Sequence, residues 1–537
     1  MGPGGDAATG DRDARDRDTR DRLPALAPAL RAAARRHGTP LYVTDGAALE
    51  AAADAVCAAF PDPWLRSYSL KANDLPALVA RLAARGFGAN VVSRGEWELA
   101  RRAGIPNAAI TLEGIGKTDA DLRAAVRAAA AGEPLRWVAV ESADEAAALA
   151  GAIEAARRRG RGPAGGPHGR ESADGPRGRG YANGPRGRGP ADGPRGPGSA
   201  DLPPLRVDAL VRLNPSVDPE THAGLATGAR GSKFGVHPDE VGAVIEAGGG
   251  ADGPVRWRGI HLHVGSQLGA IDAWRDAVRR GLALLALLQG GLPDFDTLDV
   301  GGGMPVTPWR PGGGGLADPA SGVGGTDGSG AAGGATSTAP SPARFAAEIP
   351  LLLESIPADR RPRRLAVEPG RAMTASAGWL VARVLHVRER TLPPDPITSE
   401  RSGAHALAVL PPGSTTEDRT RRLVVVDAGM TELIRPALYG AEHAVVALTS
   451  LGRVPRPDVA ARPTRVDGPI CESTDTLGEH LLPPLRRGDL VAIADAGAYA
   501  ASMRSTYNGR PRPAEIIVEA DGTLTLARRR GTLGSLA

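Results

Sequence analysis

Short apolar runs rich in β-branched residues alternate with longer Ala-, Leu- and Arg-rich stretches through most of the chain. Eight runs have the length and composition of strands: Arg66–Ala72, Gly88–Ser93, Ala109–Glu113, Trp137–Glu141, Val207–Asn214, Trp257–Val264, Phe295–Gly301 and Arg364–Glu368. The stretches between them have helical spacing, as in Asp74–Ala84, Arg94–Ala103, Asp119–Ala131 and Asp272–Leu288. Eight β/α units predict an α/β fold of the TIM-like (β/α)8 barrel type, with the chemistry at the carboxyl ends of the strands.

The pattern changes after Trp379, where strands follow one another without regular helices between them. Examples of these later strands are Arg422–Asp427, Asp489–Ile493 and Ala514–Val518. We therefore expect the barrel to occupy residues 46–380 and a second, mainly β domain to occupy residues 381–537. Residues 23–45, which hold the early strand Pro40–Thr44, are expected to join that β domain.

Four segments of low complexity are predicted to lie outside both cores. Residues 1–22 alternate Asp and Arg, which is typical of a disordered tail. Inserts are predicted at about 158–203, 310–342 and 391–420, because these segments are rich in Gly, Pro, Ala and polar residues. The first insert contains the repeat ADGPRGRGY, ANGPRGRGP, ADGPRGPGS, whose glycines do not have the collagen period.

The net charge of +4 arises from one segment of the chain. Residues 157–201 hold ten Arg against four acidic residues, and removing this stretch of charge +6 leaves the remainder at −2. Nucleic-acid binding by the repeat would need interleaved aromatic residues, and Tyr181 is the only one there. The longest apolar stretch is far shorter than the ~20 residues of a membrane span. The N-terminus has no apolar signal segment. We therefore expect a cytoplasmic protein without nucleic-acid or membrane partners.

Several predicted barrel strands end in groups that carry chemistry. Lys71 closes the first run in SYSLKAND, although a surface lysine is the alternative. Alternation sends His261 and His263 of GIHLHVGSQL to the same side of their strand. The seventh strand ends in LDVGGGMPV, whose glycines allow backbone N–H groups to approach a phosphate. The eighth places Glu368 and Arg371 in LAVEPGRAM, where a surface ion pair is the alternative. A Schiff-base lysine, a partner for a pyridine nitrogen and phosphate donors are what pyridoxal phosphate (PLP) requires.

These segments resemble the alanine-racemase-like (fold type III) group of PLP enzymes, and within it the diaminopimelate decarboxylase family. The resemblance runs from TPLYVTD at residue 39 to YNGRPRPAEIIV, which ends at Val518. Its motifs include YSLKAN, GANVVSRGEWELARRAGI, RLNPSVDPETHAGLATGARGSKFGV, HLHVGSQ, DVGGG, EPGRAM, VVDAGMTELIRPALYGAEH, GPICESTD and GDLVAIADAGAYAASMRSTYNGRPRPAE. Only the tail and the inserts fall outside this ordered series of motifs.

The resemblance implies a role for each matching residue. Lys71 would carry the cofactor as a Schiff base, Glu368 would pair with the protonated pyridine nitrogen, and His263 would stack on the ring. Other residues would hold the phosphate or the rest of the cofactor, namely Ser266, Gly301, Gly302, Gly303, Gly370, Arg371 and Tyr499. Cys471 would donate a proton to the reacting carbon from the partner subunit of a homodimer; a buried structural cysteine is the alternative. No metal ion is implied.

The substrate also follows from the resemblance. The segments that match the family's substrate-binding motifs contain Arg371, Arg435, Tyr439, Glu472 and Tyr499. Guanidinium groups bind carboxylates bidentately, whereas a carboxylate suits an ammonium group. A distal group with both charges describes meso-2,6-diaminopimelate, so the implied reaction is its decarboxylation to L-lysine and CO2, the last step of lysine biosynthesis.

Two alternatives to this function stay open. A related decarboxylase would act on ornithine, arginine or a carboxylated polyamine. Ornithine and arginine offer only a distal cation, which would leave Arg435 without a carboxylate unless it serves a structural ion pair. A cofactor-free, inactive homologue is the second alternative, against which the presence of both Lys71 and Cys471 argues.

Overall fold

The computed structural model describes residues 22–160, 204–311, 339–391, 420–456 and 459–536. The predicted N-terminal tail lies outside the described residues, apart from Arg22. The three predicted inserts also lie outside them, apart from a few residues at their ends.

The barrel predicted from the alternating pattern is confirmed. The chain begins with helix α1 (Leu23–His37) and strand β1 (Leu41–Asp45) and then enters a closed barrel of eight parallel strands. These strands are β2 (Leu65–Ser69), β3 (Gly88–Val91), β4 (Ile110–Leu112), β5 (Trp137–Val140), β6 (Val207–Leu213), β7 (Val255–Leu262), β8 (Thr297–Asp299) and β9 (Arg364–Val367). They pair in chain order, and β9 closes the barrel against β2.

Helices separate the barrel strands along the chain. They are α2 (Gly46–Ala59), α3 (Pro76–Ala83), α4 (Arg94–Arg102), α5 (Asp119–Ala130), α6 (Ala143–Gly160), α7 (Val241–Ala247), α8 (Asp272–Leu288) and α9 (Pro342–Glu354). Their amphipathic spacing buries one face of each against the barrel; α8 buries Trp274, Val278 and Leu285. Side chains before the helices cap exposed N–H groups, as Ser93 does for α4 and Thr118 does for α5.

The second unit is a nine-stranded sheet that contains β1 and eight later strands. The first of these later strands begins inside the predicted barrel range, at Gly378. Helix α10 (Arg371–Thr374) leads into it, and α11 (Arg435–Tyr439) is its helical turn. Its later strands are β10 (Gly378–Thr391), β11 (Thr420–Val426), β12 (Val445–Ala447), β13 (Arg462–Asp467), β14 (Thr476–Leu482), β15 (Leu490–Ile493), β16 (Ala514–Val518) and β17 (Leu524–Arg528). Strand β1 lies between β10 and β16, antiparallel to the first and parallel to the second.

The first barrel strand is shorter than its sequence pattern predicts. Strand β2 ends at Ser69, and Leu70–Ala72 form a turn of 3-10 helix. The apolar residues on either side of Lys71 made the run resemble a continuous strand, but both are buried in this turn instead. Lys71 therefore lies on a turn above the strand end. Among the described helices, none is both long enough and apolar enough to cross a membrane.

Candidate active site

The turn that carries Lys71 is held by the sheet domain. The backbone oxygen of Lys71 accepts a hydrogen bond from Ser502 Oγ at 2.9 Å. The next carbonyl, that of Ala72, accepts from the Tyr499 N–H at 2.8 Å. Asn73 Nδ2 in turn donates to the Gly497 carbonyl at 3.0 Å. These long-range bonds fix Lys71 where the barrel mouth meets the loop that follows β15.

Three buried side chains from different barrel strands converge at the carboxyl ends of those strands. Glu113 follows β4, His261 lies near the end of β7, and Glu368 follows β9. His261 Nε2 lies 3.3 Å from Glu113 Oε2 and 3.3 Å from Glu368 Oε2. Asn90 Nδ2 donates to the same Glu113 oxygen at 2.7 Å. One ligand atom from each of the three lies within 4.8 Å of the other two, so they can share one small group between them.

Burial sets the charge of this acid cluster. Burial, reinforced by the nearby charge of Glu368, raises the pKa of Glu113 to about 8. Burial lowers the pKa of His261 to about 4, so its ring is neutral at pH 7. Asp299, at the end of β8, is also buried, and burial followed by the charges of Glu368 and Glu113 raises its pKa. The Glu113 carboxyl group is therefore mostly protonated at neutral pH.

Several oxygens of the acid cluster and its neighbours are buried without a hydrogen-bond donor among the described residues, namely Glu113 Oε1, Asp299 Oδ2, Asn90 Oδ1 and Glu368 Oε1. Glu368 Oε1 is buried without a hydrogen-bond partner in the described part of the chain. A buried acceptor without a donor is costly. Because Glu368 lies at the barrel mouth, the N–H of a bound heterocycle would satisfy this oxygen.

His263 and the glycine run lie beside the acid cluster. His263 Nδ1 accepts a hydrogen bond from the Gly302 N–H at 3.3 Å, and burial followed by the charge of Lys71 lowers the pKa of its ring. The Gly301 N–H donates to Asp299 Oδ1 at 2.9 Å. Two of the three glycine N–H groups thus already have protein partners, which fixes the loop.

Side chains have no room at these glycines. Gly301 has φ +69°, and a Cβ there would lie 2.1 Å from the Leu262 carbonyl oxygen. A Cβ on Gly302 would meet the carbonyl oxygen of Glu368 at 2.4 Å, and a Cβ on Gly303 would meet that of Gly265 at 2.4 Å. The run is therefore glycine because it packs against the ends of β7 and β9.

Arg371 brings a buried positive charge to the mouth. Its Nη2 donates to Ser266 Oγ at 3.1 Å, and its guanidinium carbon lies 4.7 Å from the centre of the Tyr499 ring. Burial lowers the pKa of Arg371. Gly370 precedes it, with Ser69 and Ala72 too close for a Cβ to fit comfortably. An arginine, a hydroxyl group and a tyrosine ring thus meet at one point.

A second buried guanidinium lies nearby on α11. Arg435 Nη1 donates to His443 Nε2 at 2.9 Å, and His443 Nδ1 donates to the Ala494 carbonyl at 2.9 Å. Burial, followed by the charge of Arg371, lowers the pKa of Arg435 to about 10. Tyr439, four residues further along the helix, also contributes to that electrostatic environment. Arg435 bonds here to a histidine whose pKa burial lowers to about 4, and none of the ion pairs among the described residues involves Arg435, although the charge of Asp495 acts on it.

Two predicted site residues lie apart from this group. Cys471 is exposed, and Glu472 is exposed beside it. Among the described residues, the Glu472 side chain bonds to Tyr507 alone, whose hydroxyl donates to Oε1 at 2.9 Å. The structure therefore brings most of the predicted residues together around Lys71 and leaves Cys471 and Glu472 on the outer surface of the sheet domain.

Sequence analysis did not single out several members of the site. They are Asn90, Glu113, Asp299, His443 and Tyr507. A signal existed for Glu113, because the predicted strand Ala109–Glu113 ends in a carboxylate after apolar residues. His443 carries no such signal, since its contact with Arg435 depends on how α11 meets the end of β15.

Comparison with known proteins identifies the class. The sequence profile described as pyridoxal-dependent decarboxylase, C-terminal sheet domain, matches residues 41–497. The chain belongs to this family of pyridoxal-dependent decarboxylases.

Several individual proteins that are similar to this chain are diaminopimelate decarboxylases. The diaminopimelate decarboxylase of Aquifex aeolicus is 30% identical over 503 residues, covering 93% of this chain and 91% of that protein. That of Deinococcus radiodurans is 31% identical and covers 93% and 96%. The crystal structure of diaminopimelate decarboxylase from Helicobacter pylori complexed with L-lysine is 25% identical, has a TM-score of 0.66, and covers 94% of this chain and 96% of that one.

Proposed function

We propose that the protein catalyses the PLP-dependent decarboxylation of meso-2,6-diaminopimelate to L-lysine and CO2. The observation that carries the choice of substrate is the buried guanidinium group of Arg435, which lies close enough to Arg371 for the two charges to interact. Within the described part of the chain Arg435 has no ion pair with a carboxylate, so it suits a substrate whose distal end carries one. The diaminopimelate decarboxylases similar to this chain support the same substrate.

The residues at the mouth fit the cofactor. Glu368 Oε1 is a buried acceptor that the N–H of a pyridinium ring would satisfy. His263 offers a ring beside it, and Lys71 lies close enough for its charge to lower the pKa of that ring. Arg371 and Ser266 offer a cation and a hydroxyl group for a phosphate. We therefore assign Lys71 to covalent attachment and these neighbours to the ring and the phosphate.

The protein's own groups would act as follows. Bound PLP supplies the electron sink that accepts the electron pair left when the carboxylate departs. Arg435, with Tyr439, binds the distal carboxylate of the substrate, and Glu472 binds the distal ammonium group. The amine of Lys71 releases the product. Cys471 Sγ gives its proton to the carbon that has lost CO2, which at the D-configured centre leaves L-lysine.

The location of Cys471 supports a shared site. It is exposed, and it lies in the segment between β13 and β14 of the sheet domain. A second copy related by twofold symmetry can bring one exposed loop to each mouth. We propose a homodimer in which Cys471 and Glu472 complete the partner's site, in a protein located in the cytoplasm.

Subunit mixing tests this arrangement. Lys71→Ala and Cys471→Ala variants, each nearly inactive alone, should regain activity when dissociated together and reassociated. Random pairing makes half of the dimers mixed, and each mixed dimer has one intact site of two, so about a quarter of the wild-type activity should return. Recovery at the level of the unmixed variants would place Cys471 within its own subunit's site.

Arg435 discriminates the proposed substrate from its alternatives. In an Arg435→Leu variant the KM for meso-diaminopimelate should rise by about 100-fold or more, because a bidentate charged contact is lost. Turnover of ornithine or arginine by the wild-type protein that exceeds turnover of meso-diaminopimelate would favour the related decarboxylases instead. A PLP-loaded protein without turnover on any of these substrates would favour the inactive homologue.

A further inference from the structure

The loop that carries Cys471 and Glu472 is fixed from behind by Asp475. Asp475 Oδ2 accepts from the Ile470 N–H at 2.7 Å, and Oδ1 accepts from the Met430 N–H at 2.6 Å. Gly429 and Gly468 pack against the same carboxylate so closely that a Cβ on either would lie within 2.4 Å of it. The backbone at the base of the loop is therefore held in place.

These contacts do not orient the side chain at the tip of the loop. Glu472 is exposed, and its Oε1 atom accepts the hydroxyl hydrogen of Tyr507 at 2.9 Å. Tyr507 is itself 50% exposed, so burial does not explain why the ring lies there. Within the described part of the chain this hydrogen bond alone ties the carboxylate to another side chain.

Tyr507 is presented by a segment anchored on both sides. Before it, the Ser505 N–H donates to the Thr431 carbonyl at 3.0 Å. After it, Arg510 Nε donates to Glu432 Oε1 at 3.4 Å. A ring on such a support can hold a mobile carboxylate at low entropic cost, because the support is already ordered.

We infer that Tyr507 is a specificity-determining positioning residue that holds Glu472 in the orientation in which it receives the distal ammonium group of the substrate. This inference rests on the proposed function, in which Glu472 acts in the partner's site. The tyrosine hydroxyl occupies Oε1 and leaves Oε2 for the ammonium group. The hydrogen bond thereby limits the carboxylate to a few orientations before the substrate arrives.

A comparison of Tyr507→Phe with Thr506→Ala tests the inference in the PLP-loaded protein. Loss of the Tyr507 hydroxyl should raise the KM for meso-diaminopimelate by about threefold to tenfold, as expected for one hydrogen bond, and leave kcat within about twofold. Thr506→Ala removes an exposed hydroxyl one residue away and should leave both constants unchanged. When Glu472 is already Gln, adding Tyr507→Phe should raise KM by much less than it does in the wild type.

An unchanged KM in Tyr507→Phe, or a full additional effect in the double variant, would overturn the inference. A fall in kcat at constant KM would also overturn it, because the hydroxyl would then serve the chemical step. These outcomes differ from failure of the proposed function, which would appear as absence of lysine formation by the wild-type protein.

A titration that needs no turnover gives a second readout. The hydrogen bond to Glu472, together with its charge, raises the pKa of Tyr507. In protein labelled with 13C at the tyrosine ring, Tyr507→Phe assigns the signal, and Glu472→Gln should move its titration to lower pH. A Tyr507 titration that does not move in Glu472→Gln would overturn the inference.

Discussion

Glu113→Gln is the substitution that most directly tests the electrostatics of the acid cluster. Glu113 has its pKa raised to about 8 by burial and by the charge of Glu368, from an ordinary value of 4.5. The folded protein therefore keeps a proton that the unfolded chain releases between these two pH values. Stability falls as the pH rises through this window, and the loss is complete above pH 8.

The pH range of the comparison can be narrowed so that the titration of Glu113 is separated from that of His261. Below pH 6.5 the lowered pKa of His261 adds a change of opposite sign, since the unfolded chain then binds the extra proton. Between pH 6.5 and 8, one proton bound only in the folded state costs roughly 2 kcal/mol. Carboxyl groups that do not interact with Glu113 cancel in the comparison of wild type with Glu113→Gln, which has the same shape but no proton to release at this position.

The assay is the thermal midpoint of the cofactor-free protein at pH 6.5 and at pH 8. From pH 6.5 to pH 8, the thermal midpoint of Glu113→Gln should rise by a few degrees relative to that of the wild type. Each kcal/mol corresponds to about 2–4 °C in a domain of 150–250 residues and to less in a larger one. Glu354→Gln, at an exposed glutamate, is the matched control. A difference between Glu113→Gln and wild type that stays constant across the window would refute the assignment of a protonated Glu113.

Three further outcomes follow from the site. Cys471→Ala should lower kcat while the visible absorbance of bound PLP is kept, and loss of the cofactor would contradict its role as the proton donor. Gly301→Ala should lose at least about 1–3 kcal/mol of stability, because it combines φ +69° with a Cβ 2.1 Å from the Leu262 oxygen, whereas Gly116→Ala, with open space around it, should not. Asp475→Ala should lower activity with the cofactor retained, because the Ile470 and Met430 N–H groups lose their acceptor; unchanged kcat and KM would show that the loop needs no such support.

The barrel was predictable because its signal is local and repeated. Period and length distinguish the strand Trp137–Val140 from the helix Asp272–Leu288 without any tertiary information. The turn at Lys71 was not predictable, since its apolar neighbours resemble a strand. The residues that hold it, Ser502 and Tyr499, are more than 400 residues away along the chain. The nine-stranded order of the sheet, with β1 between β10 and β16, likewise depends on non-local pairing.

The candidate site divides in the same way. The motifs that resemble a known family pointed to Lys71, Glu368 and Cys471. They did not identify the groups that surround these three residues. The raised pKa of Glu113 depends on its burial and on the charge of Glu368, which is 255 residues further along the chain. The contact between Tyr507 and Glu472 joins two motifs that sequence analysis treated separately.

The measurement that tests the central proposal most directly is the product of the wild-type protein loaded with PLP and given meso-diaminopimelate, with ornithine and arginine assayed in parallel. We expect equal amounts of CO2 and L-lysine from meso-diaminopimelate. The kcat/KM for meso-diaminopimelate should be far above the values for ornithine and arginine. Preferential turnover of ornithine or arginine would contradict the roles given to Arg435 and Glu472, and bound PLP without CO2 release from any substrate would contradict the proposed activity.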